Sequence, residues 1–135
     1  MNRQPISILI AANQAQDFIE QCLNSIEGQT YFIDNNEYEV LVGVDGCFDT
    51  ADELLAIEPL YRNLKVVLMK ENCGTFIVLN TLLGMAKYDN ILRFDADDIM
   101  KPYMISDSIE WIKQYDVVRF LHDNVGLHNI VSVKS

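Results

Sequence analysis

The sequence predicts an α/β fold, in which a mostly parallel sheet carries helices on both faces. Short apolar runs rich in β-branched residues alternate along the chain with segments whose apolar residues recur at helical spacing. This alternation is typical of strand–helix–strand units, which build parallel sheets. The chain has 135 residues, half of them hydrophobic, which suits one domain whose core needs no disulfide or metal for stability. We therefore treat residues 1–135 as a single domain.

The first strand–helix unit opens with Ile6-Ser7-Ile8-Leu9-Ile10, an apolar run that predicts a strand buried on both faces. After a polar loop, a helix is predicted because apolar side chains recur every three or four residues. These side chains belong to Phe18, Ile19, Cys22, Leu23 and Ile26. Gly28 follows as the expected end of this helix.

The next two units repeat the pattern. Residues Tyr38 to Val44 predict a second strand, and the helix after it is expected to take Asp49 as its N-cap and to end near Pro59. Leu64 to Met69 predicts a third strand. A helix from about Thr75 to Ala86 completes the third unit.

The C-terminal part adds a fourth unit and a shorter pattern. A strand is predicted over about Asn90 to Phe94, and a helix with apolar residues at helical spacing follows Pro102. Val117 to Leu121 predicts a fifth strand, and Ile130 to Val133 a further short one. A strand such as Val117 to Leu121 near the end of the chain would leave an uncovered edge, so we expect self-association into a homo-oligomer.

Charge and composition exclude several classes of partner. Twenty Asp and Glu against ten Lys and Arg give a net charge of −10, which argues against nucleic acid and anionic membranes as partners. The longest near-apolar stretch, Ile6 to Ala12, is too short to cross a bilayer. Three widely spaced cysteines suit reduced thiols rather than disulfides or a zinc site, so a cytoplasmic protein is predicted.

Four polar loops are expected to converge at one edge of the sheet. In an open parallel sheet, the ligand crevice lies outside the carboxyl ends of the strands, where these loops begin. The loops are Ala11-Ala12-Asn13-Gln14, Asp45-Gly46-Cys47-Phe48-Asp49, Lys70-Glu71-Asn72-Cys73-Gly74 and Asp95-Ala96-Asp97-Asp98. The simpler alternative is that such loops are polar anyway and that Asp49 and Asp98 are helix N-caps.

The last of these loops places three carboxylates within four residues. At about 4 Å and an effective dielectric near 20, each pair costs roughly 4 kcal/mol before relaxation. Either the loop is fully solvated or it holds a hard divalent cation, Mg²⁺ or Mn²⁺, whose preferred ligands are carboxylate oxygens. The sequence contains neither G-x-x-x-x-G-K-[ST] nor G-x-G-x-x-G, so a diphosphate bound here would need that cation.

Four segments together resemble the N-terminal, nucleotide-binding half of family 2 glycosyltransferases, which have the GT-A fold. Their order and spacing agree over about residues 6 to 121. The segments are Ser7-Ile8-Leu9-Ile10 followed by Cys22-Leu23-Asn24-Ser25-Ile26 and Gln29-Thr30; Val44-Asp45-Gly46-Cys47 with Asp49; Asn72-Cys73-Gly74 with Asn80; and Phe94-Asp95-Ala96-Asp97-Asp98 with Pro102.

The resemblance implies binding of a nucleotide-diphospho-sugar, with uracil as the expected base, and transfer of its sugar to an unknown acceptor. Ala11 and Asn13 would line the nucleoside pocket, Asp45 would accept a hydrogen bond from the base, and Asn72 would join the nucleotide-binding set. Asp95 would contact the ribose or the metal. The metal ligands would be Asp95 and Asp97, and the cation, Mn²⁺ or Mg²⁺, would act as a Lewis acid on the leaving diphosphate.

The sequence departs from the family pattern in several places. Asn13 stands where the family has an aromatic residue, Val44 where it has the first Asp of a pair, and Leu79 where it has Arg. We expect the chain to be truncated at its C-terminal side, without the family's acceptor half. His122 and Asp123 are the nearest candidates for a catalytic group, with ordinary loop residues as the alternative reading.

Two other functions remain open at this point. One is a catalytically silent nucleotide-binding or interaction module that keeps the fold without the chemistry. The other is a metal-dependent phosphohydrolase-like domain, which ranks lower because the sequence places no nucleophile or base beside the Asp cluster.

Overall fold

Strands and helices alternate as predicted in the computed structural model, which describes residues 4–33, 37–114, 117–121 and 127–132. The strands of these residues are β1 (Ile6–Ala12), β2 (Tyr38–Val44), β3 (Leu64–Leu68), β4 (Asn90–Arg93), β5 (Val117–Leu121) and β6 (Leu127–Ser132). The α-helices are α1 (Ile19–Glu27), α2 (Phe48–Ile57), α3 (Thr75–Met85) and α4 (Met104–Ile112). Each of these helices is too short or too polar to span a bilayer.

The strands form one sheet in the order β3-β2-β1-β4-β6-β5. The neighbouring pairs among β1 to β4 are parallel, while β6 is antiparallel to both β4 and β5. The prediction of a mostly parallel α/β sheet is therefore confirmed. The predicted edge strand, Val117–Leu121, does lie at an edge of the sheet, where β6 is its neighbour.

Side chains of the parallel strands alternate between two apolar layers. Ile8 and Ile10 of β1 belong to the larger buried cluster, which also takes in residues of α1, α2 and α4. Leu9 points to the opposite layer, where it packs in a cluster with Val78 and Leu82 of α3. Fully burying each such side chain stabilises the fold by roughly 1.5–3 kcal/mol. Burial on both faces explains why β1 is a continuous apolar run.

Both predicted helix caps are wrong. Helix α2 begins at Phe48 with Cys47 at the N-cap, so Asp49 lies in the first turn. The helix begins two residues earlier than predicted, because the Ala51 N–H donates to the Cys47 carbonyl at 2.9 Å. Asp98 starts no helix. Its N–H donates to the Asp95 carbonyl at 3.2 Å and closes a turn, and α4 begins six residues later.

Candidate functional site

A polar cleft of about 260 Å³ opens where β1 and β4 end. It brings together four of the predicted site residues, Ala11, Asn13, Asp95 and Asp97. The remaining lining residues are Gln14, Ala15, Phe18, Thr75, Arg93, Phe94 and Ala96. Residues 82 to 86 positions apart in the sequence thus share one cleft, as the convergence of strand ends predicts.

Asp45 lies outside the lining of this cleft and makes contacts within the protein. Its side chain is almost completely buried, and its carboxylate accepts the backbone N–H of Cys73 at 2.7 Å and that of Gly74 at 3.1 Å. Gly74 is the N-cap of α3, so the carboxylate lies at the positive end of a helix, which favours its charge. Asp45 therefore ties the loop after β2 to the start of α3.

Asn72 is held near Asp45 by backbone packing. Gly46 has φ +70°, and a Cβ built on it would lie 2.5 Å from the Asn72 backbone nitrogen. Only glycine combines that left-handed conformation with so close an approach. The Asn72 side chain is exposed and, like Asp45, lies outside the cleft lining.

A loose ion pair crosses the mouth of the cleft. The Arg93 guanidinium nitrogen Nη2 lies 3.8 Å from Asp95 Oδ1, and the two side chains are 43% and 38% exposed. Exposed pairs of this kind contribute little to stability. Sequence reasoning missed Arg93, although its position two residues before Asp95 in an extended segment places the two side chains on one side.

A second set of contacts holds the segment that follows the Asp cluster. Gln29, two residues after the end of α1, donates from Nε2 to the Lys101 carbonyl at 2.7 Å and accepts the Ile105 N–H at 3.1 Å with Oε1. Ser25 Oγ accepts the Met100 N–H at 2.8 Å. These two side chains were part of the sequence resemblance, and the structure gives them a physical role: they attach residues 100–105 to α1.

Cys22 contacts the backbone of the Asp cluster. Its thiol donates to the Asp95 carbonyl at 3.5 Å. Burial raises the pKa of Cys22, and the negative charges of Asp98, Asp97 and Asp95 raise that pKa further. The residue is therefore a protonated thiol at neutral pH. The three cysteines are free thiols, as predicted.

Two carboxylates of the cleft could hold a divalent cation. Asp95 and Asp97 both line it, while the described part of the chain contains no group of three or more His, Cys, Asp or Glu side chains arranged to hold a metal. Mg²⁺ in nucleotide sites is commonly bound by one or two carboxylates, with substrate phosphates and water completing the shell. The donor set therefore fits a cation that arrives together with a diphosphate.

The catalytic candidates His122 and Asp123 lie outside the described residues.

An apolar groove of about 520 Å³ adjoins the cleft along α3. Leu9 and Ile91 form its floor on the sheet, and Phe76, Leu79 and Leu83 of α3 are also part of its lining. Thr75 and Arg93 line both spaces. The Arg93 side chain therefore stands at the border between the apolar groove and the acidic cleft.

Comparison with known proteins gives consistent matches. The family model described as glycosyl transferase family 2 matches residues 7–128. A Haemophilus influenzae protein named an uncharacterized glycosyltransferase is 32% identical over 112 residues, which are 82% of this chain and 33% of that protein.

Two solved structures share the fold. S. aureus TarS 1-349 in complex with UDP has a TM-score of 0.76 at 23% identity, covering 91% of this chain and 38% of that one. Mannosyltransferase PcManGT from Pyrobaculum calidifontis, in complex with GDP-Man and Mn²⁺, has a TM-score of 0.78 at 21% identity, covering 87% of this chain and 35% of that one. The chain thus spans less than half the length of each of these relatives.

Proposed function

This chain belongs to glycosyl transferase family 2, and on that premise we propose that it binds a nucleotide-diphospho-sugar through a divalent cation. The observation that carries the proposal is the cleft that Asp95 and Asp97 line together with Ala11 and Asn13. A nucleoside would need a pocket such as the one at Ala11 and Asn13, and a cation-bound diphosphate would need carboxylates such as Asp95 and Asp97 beside it. The reaction we assign is transfer of the sugar to an acceptor.

Different residues of the cleft would bind the cation and the nucleoside. Asp97 would hold Mn²⁺ or Mg²⁺, and Asp95 would contact the same cation or the ribose. When bound, the cation supplies Lewis-acid stabilisation of the leaving diphosphate. Ala11 and Asn13 would line the nucleoside pocket, where the polar Asn13 offers hydrogen bonds in place of aromatic stacking.

Asp45 would contribute through the loop that it holds. A carboxylate offers about four acceptor positions, and the N–H groups of Cys73 and Gly74 use part of that capacity. A remaining lone pair would accept the hydrogen bond from the base. Asn72, exposed on the loop that Asp45 anchors, would then lie beside the bound nucleotide.

The two solved relatives support a nucleotide diphosphate but differ in its base. TarS was crystallised with UDP and PcManGT with GDP-Man and Mn²⁺. We favour uracil because Asp45 suits the N3–H of that base. The location in the cytoplasm and self-association through β5 remain predictions.

Thermal unfolding tests the donor site. A ligand present at 100 times its dissociation constant adds roughly 2.7 kcal/mol of stability, so Mn²⁺ plus UDP should raise the unfolding midpoint. Asp97→Asn should abolish this gain, whereas Asp107→Asn, at an exposed position in the first turn of α4, should retain it. The absence of a shift with both UDP and GDP would refute the donor site.

Turnover separates an active transferase from a silent nucleotide-binding module. Metal-dependent release of UDP from UDP-sugars should accompany binding if the chain is active. Binding without release would favour the silent module.

A further inference from the structure

Arg93 is the one cation among the described residues that line the acidic cleft. The chain carries a net charge of −10, and the cleft already holds the carboxylates of Asp95 and Asp97. A diphosphate brings further negative charge to this place, so its binding needs positive charge from close by. The guanidinium of Arg93 is the group that the protein itself can supply.

The guanidinium of Arg93 faces Asp95. The 3.8 Å separation is long for a charge-assisted hydrogen bond, which typically measures about 2.7–2.9 Å. Both side chains are more than a third exposed, so neither is locked in position by packing. Arg93 and a divalent cation would therefore compete for the same carboxylate oxygen.

We propose that Arg93 exchanges partners during donor binding, holding Asp95 in the ligand-free cleft and contacting the donor's diphosphate once Asp95 turns to the cation. This inference rests on the proposed function. The exchange conserves local charge, because each carboxylate keeps a positive partner and the phosphates gain one. A guanidinium suits the second role because its planar fork matches phosphate oxygens in a bidentate contact.

The exchange predicts effects of opposite sign on two affinities. Arg93→Gln should strengthen binding of Mn²⁺ alone, by about three- to tenfold, because a positive charge near the metal ligand is removed. The same substitution should weaken binding of UDP in saturating Mn²⁺ by about tenfold or more, because a charge-assisted contact to phosphate is lost. If Arg93 only shaped the loop, its substitution would weaken both the binding of Mn²⁺ and the binding of UDP.

The experiment uses the full chain in two titrations. Mn²⁺ alone is followed by the relaxation of water protons, and UDP in saturating Mn²⁺ is followed by calorimetry, with circular dichroism confirming that each variant is folded. Lys113→Gln is the matched control, since it removes a cation from an exposed ion pair, that with Glu110 at 3.0 Å, outside the cleft. It should change neither affinity by more than about twofold.

Tighter Mn²⁺ binding together with weaker UDP binding in Arg93→Gln is the expected result. If either affinity is unchanged, or if both fall, the partner exchange is overturned while the donor site stands. A wild-type chain that binds neither UDP nor GDP in the presence of Mn²⁺ overturns the proposed function and this role of Arg93 with it.

Discussion

Replacing Gln29 with alanine should destabilise the protein strongly, because its side chain joins α1 to the segment after the Asp cluster. Gln29 is 1% exposed. Its Nε2 donates to the carbonyls of Ser25 and Lys101 at 3.2 and 2.7 Å, and its Oε1 accepts the Ile105 N–H at 3.1 Å. Ser25 adds one further bond between these segments, since its Oγ accepts the Met100 N–H at 2.8 Å.

The magnitude follows from what the truncation leaves behind. Losing these hydrogen bonds costs about 0.5–1.5 kcal/mol each. Ile105 is completely buried, so its N–H loses its acceptor away from water, a penalty of about 1–3 kcal/mol that overlaps with the loss of that bond. We therefore expect Gln29→Ala to lower the free energy of unfolding by about 3–5 kcal/mol.

Urea denaturation followed by circular dichroism measures this loss. Gln21→Ala is the control, because Gln21 is an exposed residue of α1 and its truncation should change stability by less than about 0.5 kcal/mol. A loss below about 1 kcal/mol in Gln29→Ala, with an unchanged dependence on urea, would refute the bridging role.

Two further predictions concern backbone strain and pH. Gly46→Ala should lower the free energy of unfolding by more than about 2 kcal/mol, because Gly46 has φ +70° and an added Cβ would meet the Asn72 backbone. The control is Gly84→Ala, which should be neutral or stabilising because an added Cβ there would meet no atom within 4 Å. Equal losses of stability for the two variants in urea denaturation would contradict this prediction. Burial, followed by the charge of Glu27, raises the pKa of Tyr38 to about 12 from 10.0, so the folded state keeps this proton when the unfolded state has lost it. Stability from this group should be present below pH 10 and be lost as pH rises towards 12; Tyr38→Phe should flatten that part of the pH profile, and an unchanged slope would count against the assignment.

The strands, the helices and the convergence of loops could be predicted because each depends on local pattern. A strand buried on both faces is a continuous apolar run, which is what Ile6–Ala12 shows. Parallel pairing then brings the strand ends together whatever the loops contain. The cleft containing Ala11, Asn13, Asp95 and Asp97 follows from that geometry.

The contacts of Asp45, Gln29 and Arg93 could not be predicted in this way. The Asp45 carboxylate reaches a backbone N–H 28 residues away, and the Gln29 amide a carbonyl 72 residues away. The periodicity of apolar residues predicts which face of a helix or strand a side chain occupies. It does not predict which distant backbone group that side chain contacts. The wrong N-cap at Asp49 has a related cause, since α2 begins two residues earlier, after Cys47, whose side chain makes no capping hydrogen bond.

Asp45 and Gln29 perform the same physical task for two different segments of the chain. Each is a buried polar side chain that accepts backbone N–H groups of a segment following a strand, and the Cys22 thiol adds a contact to the Asp95 carbonyl. Cys22 and Gln29 thus hold the backbone at Asp95 and just after the Asp cluster, while the Asp97 side chain remains exposed. A cation would then meet a carboxylate whose backbone is already positioned, so less ordering entropy opposes its binding. Loosening Gln29 should therefore weaken Mn²⁺-dependent nucleotide binding even though this residue touches neither ligand.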